Sequence, residues 1–213
     1  VDEFLRDLAE HARAPATKEI AELKAIAAED GIDELKPWDS SYYSEKLKMQ
    51  QFNLSQEALK PYFPAPKILQ GLFSIVNRLY DIQVIEREAP VWHPEARYFE
   101  LEDQGQVIGG FYFDLYARQG KRGGAWMSGF RSRMQTRDGL QKPICYMVGN
   151  FTPPVGNRPA LLTHDEVITL FHEFGHGLHH MLTEVDNISV AGTHGVAWDA
   201  VELPSQFMEF WRS

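Results

Sequence analysis

Two histidines four residues apart, with a glutamate directly after the first, form the run His172-Glu173-Phe174-Gly175-His176. On a helix, one turn aligns both imidazoles on one face. They can then take two corners of a tetrahedral metal while Glu173 lies beside a water that the metal polarises. That is the chemistry of a hydrolytic zinc site. The chain has 8 histidines in 213 residues, and chance would supply roughly 0.03 copies of this pattern. The bland alternative is a pair of histidines on a solvated helix face.

The elements around the run must place it mid-helix. Thr163 and Glu166 have the spacing of a capping box, and Val167, Ile168, Leu170, Phe171, Phe174, Leu178, Met181 and Leu182 follow with helical periodicity. A helix over 163–183 is expected, with the run at its centre. Zinc catalysis also needs a third protein ligand and an open position for water. A His-x-x-Gly-x-x-His continuation from the second ligand is excluded, because His179 and Leu182 stand where Gly and His would be. A carboxylate from a following helix remains, from Glu184, Glu202 or Glu209. Glu184 is too near the end of the motif helix to fold back, and Glu209 lies two turns into the next one. Glu202 opens that second helix, after a loop with Gly192 and Gly195 that permits reversal. Pro204 begins or kinks the second helix. Asp199 is either an acceptor for a ligand imidazole or a helix N-cap. His179, His180 and His194 are expected to pack or to sit in loops, with His194 the best placed to line a cleft.

Upstream, Phe4, Leu5 and Leu8, then Ile20, Leu23, Ile26 and Ala27, read as helix ended by Gly31, and Ser40 or Ser41 can cap 42–52. Pro66 opens a buried helix over 67–80. The middle changes character. Segments 97–103 and 107–116 are aromatic and β-branched and meet at Gln104-Gly105, a hairpin signal, and 144–150 gives a third strand. Residues 118–137 and the proline-rich stretch 153–159 read as loops. The expected fold class is mainly α with a small antiparallel β-sheet (α+β), a single piece with a helical part over 1–80, sheet and loops over 81–160 and zinc-site helices over 161–213.

With these residues in view, the chain resembles the thimet oligopeptidase and neurolysin family of zinc metallopeptidases. The likeness is carried by Phe171-His172-Glu173-Phe174-Gly175-His176-Gly177-Leu178-His179-His180 and by Trp198-Asp199-Ala200-Val201-Glu202-Leu203-Pro204-Ser205-Gln206. It extends upstream through Trp38-Asp39-Ser40-Ser41-Tyr42-Tyr43, Trp92-His93-Pro94, Phe113-Asp114-Leu115-Tyr116-Ala117-Arg118 and Lys121-Arg122-Gly123-Gly124-Ala125-Trp126-Met127. The resemblance implies a zincin-like active-site helix in a larger neurolysin-like fold, with His172, His176 and Glu202 as ligands of Zn2+ and Glu173 as general base. Family members are several times longer, with a helical region before this segment and a glycine-rich loop after it that binds substrate. The chain is therefore expected to be a fragment, weakly active or inactive alone, that stops at Ser213 inside an amphipathic helix.

Composition narrows the partners. A formal charge of −9 repels nucleic acid and anionic membranes, and an apolar fraction of 44% suffices for a core. The single Cys145 forbids an internal disulfide and suits a reducing compartment, and no segment has the apolar length of a membrane span. The expectation is a cytoplasmic, zinc-dependent endopeptidase acting on short peptides, with no nucleic-acid or membrane partner. Two alternatives stay open: a non-catalytic zinc-binding or structural unit, and a metal-dependent hydrolase of a non-peptide amide. An edge strand at 144–150 is the expected partner of an extended substrate backbone.

Overall fold

The structure, a computed structural model, describes residues 1–52 and 55–211. The chain divides into two compact units, Val1–Leu59 and Lys60–Ser213.

The first unit is helical. Helix α1 (Asp2–Glu29) is closed by Gly31, whose positive φ lets the chain leave the helix after hydrogen bonds back to Ala27 and Ala28. Its apolar N-terminal residues Phe4, Leu5 and Leu8 are exposed, while Ile26 and Ala27 are buried with Tyr43 of α2 (Ser40–Phe52). Ser40 begins α2 instead of capping it. The cap belongs one turn earlier, where the Asp39 carboxylate accepts from the Lys36 backbone N–H at 3.0 Å. A single turn, α3 (Gln56–Leu59), follows.

The second unit is built on a five-stranded mixed sheet. Helix α4 (Ala65–Tyr80) carries Pro66 in its first turn, as its spacing predicts, and ends on Asp81 in the left-handed conformation. The strands are β1 (Gln83–Arg87), β2 (Arg97–Asp103), β3 (Gln106–Tyr116), β4 (Trp126–Arg131) and β7 (Ile144–Phe151), in the spatial order β1-β2-β3-β7-β4. A separate short hairpin pairs β5 (Met134–Thr136) with β6 (Gly139–Gln141). The β2–β3 hairpin turns at Gln104 and Gly105, both at positive φ, the turn that matches the twist of the flanking strands.

Three expectations change here. The sheet is not purely antiparallel, because β3 and β7 pair in parallel. The segment 118–137 is not all loop: it contains β4, which reads as loop because it is a half-exposed edge strand lying among glycines and charges. And β7 is not an edge. It lies between β3 and β4, so the sheet edges are β1 and β4.

One face of the sheet is the core. Phe99, Phe111, Phe113, Cys145 and Met147 point to it and meet Leu72, Phe73 and Val76 of α4 and Phe174 of α5 (His164–Met181). The Phe99 and Phe111 rings lie 5.1 Å apart, and Phe111 meets Phe174 edge-on at 5.3 Å. Alternation puts Tyr98, Tyr112 and Tyr146 on the other face, with Trp92 5.3 Å from Tyr112. Cys145 is fully buried, which pushes its thiol pKa up and keeps it unreactive. Among the described residues no helix is long and apolar enough to cross a membrane.

The lead into β4 is pinned by a buried charge cluster. Asp114, near the end of β3, accepts from Arg118 at 2.6 and 2.8 Å, from Lys121 at 2.9 Å and from the Trp92 indole at 2.9 Å. Lys121 also donates to the carbonyls of Asp114 and Tyr116 at 2.8 Å. Burial alone raises a carboxyl pKa, but the bonds from Arg118, Lys121 and Trp92 outweigh it and hold Asp114 well below the usual range. A depressed folded pKa stabilises the fold in full above the unfolded value of about 3.9; that stabilisation declines as pH falls below it and is lost only as pH passes the folded pKa. Asp114→Asn leaves the Lys121 ammonium, with 5% of its side chain exposed, without its counter-ion. The expected cost at neutral pH is about 3–5 kcal/mol, read by denaturant unfolding, with a smaller gap between variant and wild type below about pH 4.

Candidate metal centre

Helix α5 forms as its sequence dictates. The Thr163 hydroxyl accepts from the Glu166 N–H at 3.1 Å, and the Glu166 carboxylate accepts from the Thr163 N–H at 2.8 Å. The apolar stripe from Val167 to Met181 is buried against the sheet, which leaves His172, Glu173 and His176 half-buried along one margin. The two imidazoles lie one turn apart, with ring centroids separated by 5.0 Å.

The second helix, α6 (Leu203–Glu209), starts at Glu202 as its N-cap, with Pro204 in the first turn, so the proline begins the helix and does not kink it. It ends at Glu209 with Phe210 as its cap, well short of Ser213, and Arg212 and Ser213 lie outside the described residues. What brings α6 to α5 is the absence of a side chain at Gly175. A Cβ there would lie 2.5 Å from the Pro204 carbonyl oxygen and 2.6 Å from the Ser205 Cα. The helices therefore touch backbone to backbone between the two histidines, and Glu202 is delivered to both rings. Its Oε2 lies 3.3 Å from His172 Nε2 and 3.0 Å from His176 Nε2. Ser205, fully buried, donates to the Glu202 carbonyl and carboxylate, each at 2.8 Å.

The donor set fits a tetrahedral cation. Ligand atoms at about 2.0–2.1 Å from zinc stand about 3.3 Å from one another, and the three donor atoms here all lie within 4.8 Å of each other. The set of two neutral nitrogens and one carboxylate oxygen suits zinc.

Electrostatics divides the residues by role. Burial raises the Glu173 pKa, as does the nearby Glu202, while the His172 charge and the Met127 backbone N–H from β4 pull it back. Burial lowers the His176 pKa and favours the neutral ring, with Glu202 opposing. The Ser205 hydroxyl is the largest influence lowering the Glu202 pKa; burial works against it, and the two imidazoles add to it.

The sequence-predicted residues thus separate cleanly. His172, His176 and Glu202 converge, Glu173 lies beside them, and Glu184 is exposed in the loop after α5. Asp199 is neither the acceptor for a ligand imidazole nor the N-cap of α6. The acceptor is Glu209, whose Oε1 lies 2.8 Å from His172 Nδ1, and the cap is Glu202. The partnership was missed because Glu209 sits seven residues after Glu202. That separation is two helical turns, which returns both carboxylates to one face. Ser205 and Met127 were also missed; Ser205 lies one turn after Glu202. His180 is fully buried and holds the Arg131 carbonyl of β4 at 2.8 Å. His194 is a loop residue bonded to the Ala191 carbonyl at 3.2 Å.

Comparison with known proteins decides the lineage. The model of peptidase family M3 matches residues 1–213. The chain belongs to peptidase family M3. It is 57% identical to oligopeptidase A of Escherichia coli over 98% of its own length and 31% of that protein's. The organellar oligopeptidase A of Arabidopsis thaliana is 44% identical over 98% of this chain and 28% of its own length. The dipeptidyl carboxypeptidase of Escherichia coli is 39% identical over 98% and 31%. The chain spans about a third of the length of these family M3 relatives.

The contact at Gly175 yields an expectation. Gly175→Ala must push Pro204 and Ser205 away, at a cost of about 1–3 kcal/mol in denaturant unfolding. Unchanged stability in that variant would show that α6 does not rest on α5 as described.

Proposed function

We propose that His172, His176 and Glu202 hold a zinc ion and that Glu173 is the general base for hydrolysis of peptide bonds in short peptides. The observation that carries this reading is the convergence of three donor atoms within 4.8 Å beside a carboxylate steadied by the edge strand. Membership of peptidase family M3 supports it. Zinc, when bound, supplies Lewis-acid activation of water near neutral pH. Glu173 takes the proton from the attacking water and passes it to the leaving nitrogen, so the carboxylate must stay close to the reacting carbon without ligating. The Met127 N–H limits its swing. As the sheet edge nearest Glu173, β4 is the strand on which an extended peptide can pair, in place of the interior 144–150 segment. A cytoplasmic location is part of the proposal; the single, buried Cys145 and a relative named a probable cytosolic oligopeptidase A support it.

A second reading is a unit that holds zinc without turning substrate over. Metal content measured together with cleavage of a quenched oligopeptide separates the two, and parallel assays on non-peptide amides test the substrate class.

Glu173→Gln is expected to keep zinc and to abolish peptide cleavage in the full-length protein, because the residue moves protons and does not ligate. Near-normal turnover with Gln at 173 removes it from the mechanism. Glu202→Ala is expected to weaken zinc binding severely, and Glu184→Ala to leave it unchanged. Stoichiometric zinc in the Glu202 variant at low free metal would refute the third ligand.

A further inference from the structure

His172 is held from both sides by carboxylates of one short helix. Its Nε2 faces Glu202 Oε2 at 3.3 Å, and its Nδ1 lies 2.8 Å from Glu209 Oε1. Glu202 caps α6 and Glu209 is the last of its seven residues, so the same docking of α6 on α5 sets both contacts. The His172 and Glu209 side chains are each 28% exposed, which shields their bond partly from water and lets it bias the ring.

A neutral imidazole carries one ring proton, and an ionised carboxylate only accepts. Both ring nitrogens of His172 face a carboxylate, and the shorter contact, 2.8 Å to Glu209 against 3.3 Å to Glu202, draws the proton to Nδ1 and leaves the Nε2 lone pair on the side where His176 and Glu202 converge. The bond also fixes the rotation of the ring about its own axis, which helix geometry alone does not.

We propose that Glu209 is the positioning residue of the metal centre: it sets the tautomer and the orientation of His172, so that α6 supplies both a ligand and the group that aims another ligand. This rests on the reading of His172 as a ligand.

The test compares wild type, Glu209→Gln and Glu209→Ala in two measurements. The first is zinc affinity by competition with a chelator. The second is the tautomer of His172 in the metal-free protein, from long-range proton–nitrogen correlations. Glu209→Ala is expected to bind zinc about 10–100-fold more weakly and to lose the preference for a protonated Nδ1. Glu209→Gln, whose amide oxygen still accepts, is expected to fall between wild type and Ala in both measurements, a graded response that general loosening of α6 does not produce. If Glu209→Ala does not fold, Glu209→Asp replaces it, since its carboxylate is one methylene short of Nδ1. Zinc affinity within twofold of wild type, with the Nδ1-protonated tautomer retained in the Ala or Asp variant, overturns the role of Glu209. A wild-type protein that binds no zinc overturns the metal-site reading itself, and this inference with it.

Discussion

The site depends on one contact without side chains, the seat of α6 on α5 at Gly175. Each donor is contributed by its own element: His172 and His176 by successive turns of one helix, Glu202 by the cap of another. Only the distance between the two helices decides whether three donors become a cluster. At the usual interhelical separation of 8–10 Å, a glutamate from α6 would approach the rings at the end of an extended, mobile side chain. The Pro204 carbonyl occupies the space where a Cβ at 175 would be, and the carboxylate stands within 3.3 Å of both rings. Ser205, buried in the same contact, ties the carboxylate back to its own helix. Close approach and orientation of the third donor share one physical cause.

The burial that seats the helix also sets the charges. Glu173 and His176 are driven toward their neutral forms by desolvation, whereas Glu202 is kept anionic mainly by the hydrogen bond it accepts from Ser205. Desolvation thus leads at Glu173 and an accepted hydrogen bond leads at Glu202, although both carboxyls lie near His172. The difference lies in burial as well as in donors: the Glu202 side chain is 50% exposed and accepts from the Ser205 hydroxyl, whereas at half-buried Glu173 desolvation outweighs a single backbone N–H.

How much of this was legible follows from which interactions are local. The α5 capping box, the histidine spacing and the 104–105 hairpin turn are fixed by residues within a few positions of each other, and the structure bears them out. Glu202 is legible as the candidate third donor because glycines and a proline mark where the chain reverses and restarts. The strands β1 and β4 were not legible, since an edge strand with exposed residues lacks the alternation that burial on one face imposes. The parallel pairing of β3 with β7 was hidden for a different reason: register between distant strands is decided by tertiary packing, and the intervening segment contains three strands of its own. Asp199 reads from the sequence as either an imidazole acceptor or a helix N-cap, by a rule that counts one helical turn back from Glu202. The rule overlooked that residues before the cap are outside the helix, while Glu209, inside it, returns to the same face.

The edge strand shows how a helix can fix a strand it does not pair with. Glu173 accepts from the N–H of Met127, and seven residues later His180 donates to the carbonyl of Arg131. Seven helical residues advance about 10.5 Å, but four residues of extended strand advance about 13 Å, so a regular strand would not reach both anchors. The ladder shows the adjustment. Gly129 pairs with Cys145 and Arg131 with Ile144, so Phe130 is an extra residue and the four steps from Met127 to Arg131 stand opposite three of β7. Three steps are about 10 Å, which matches the helix. The bulge is therefore the length correction that lets one strand be strapped to α5 at two points. A Cβ at Gly129 would lie 2.9 Å from the His180 ring, so the strand is held against the helix at the bulge as well.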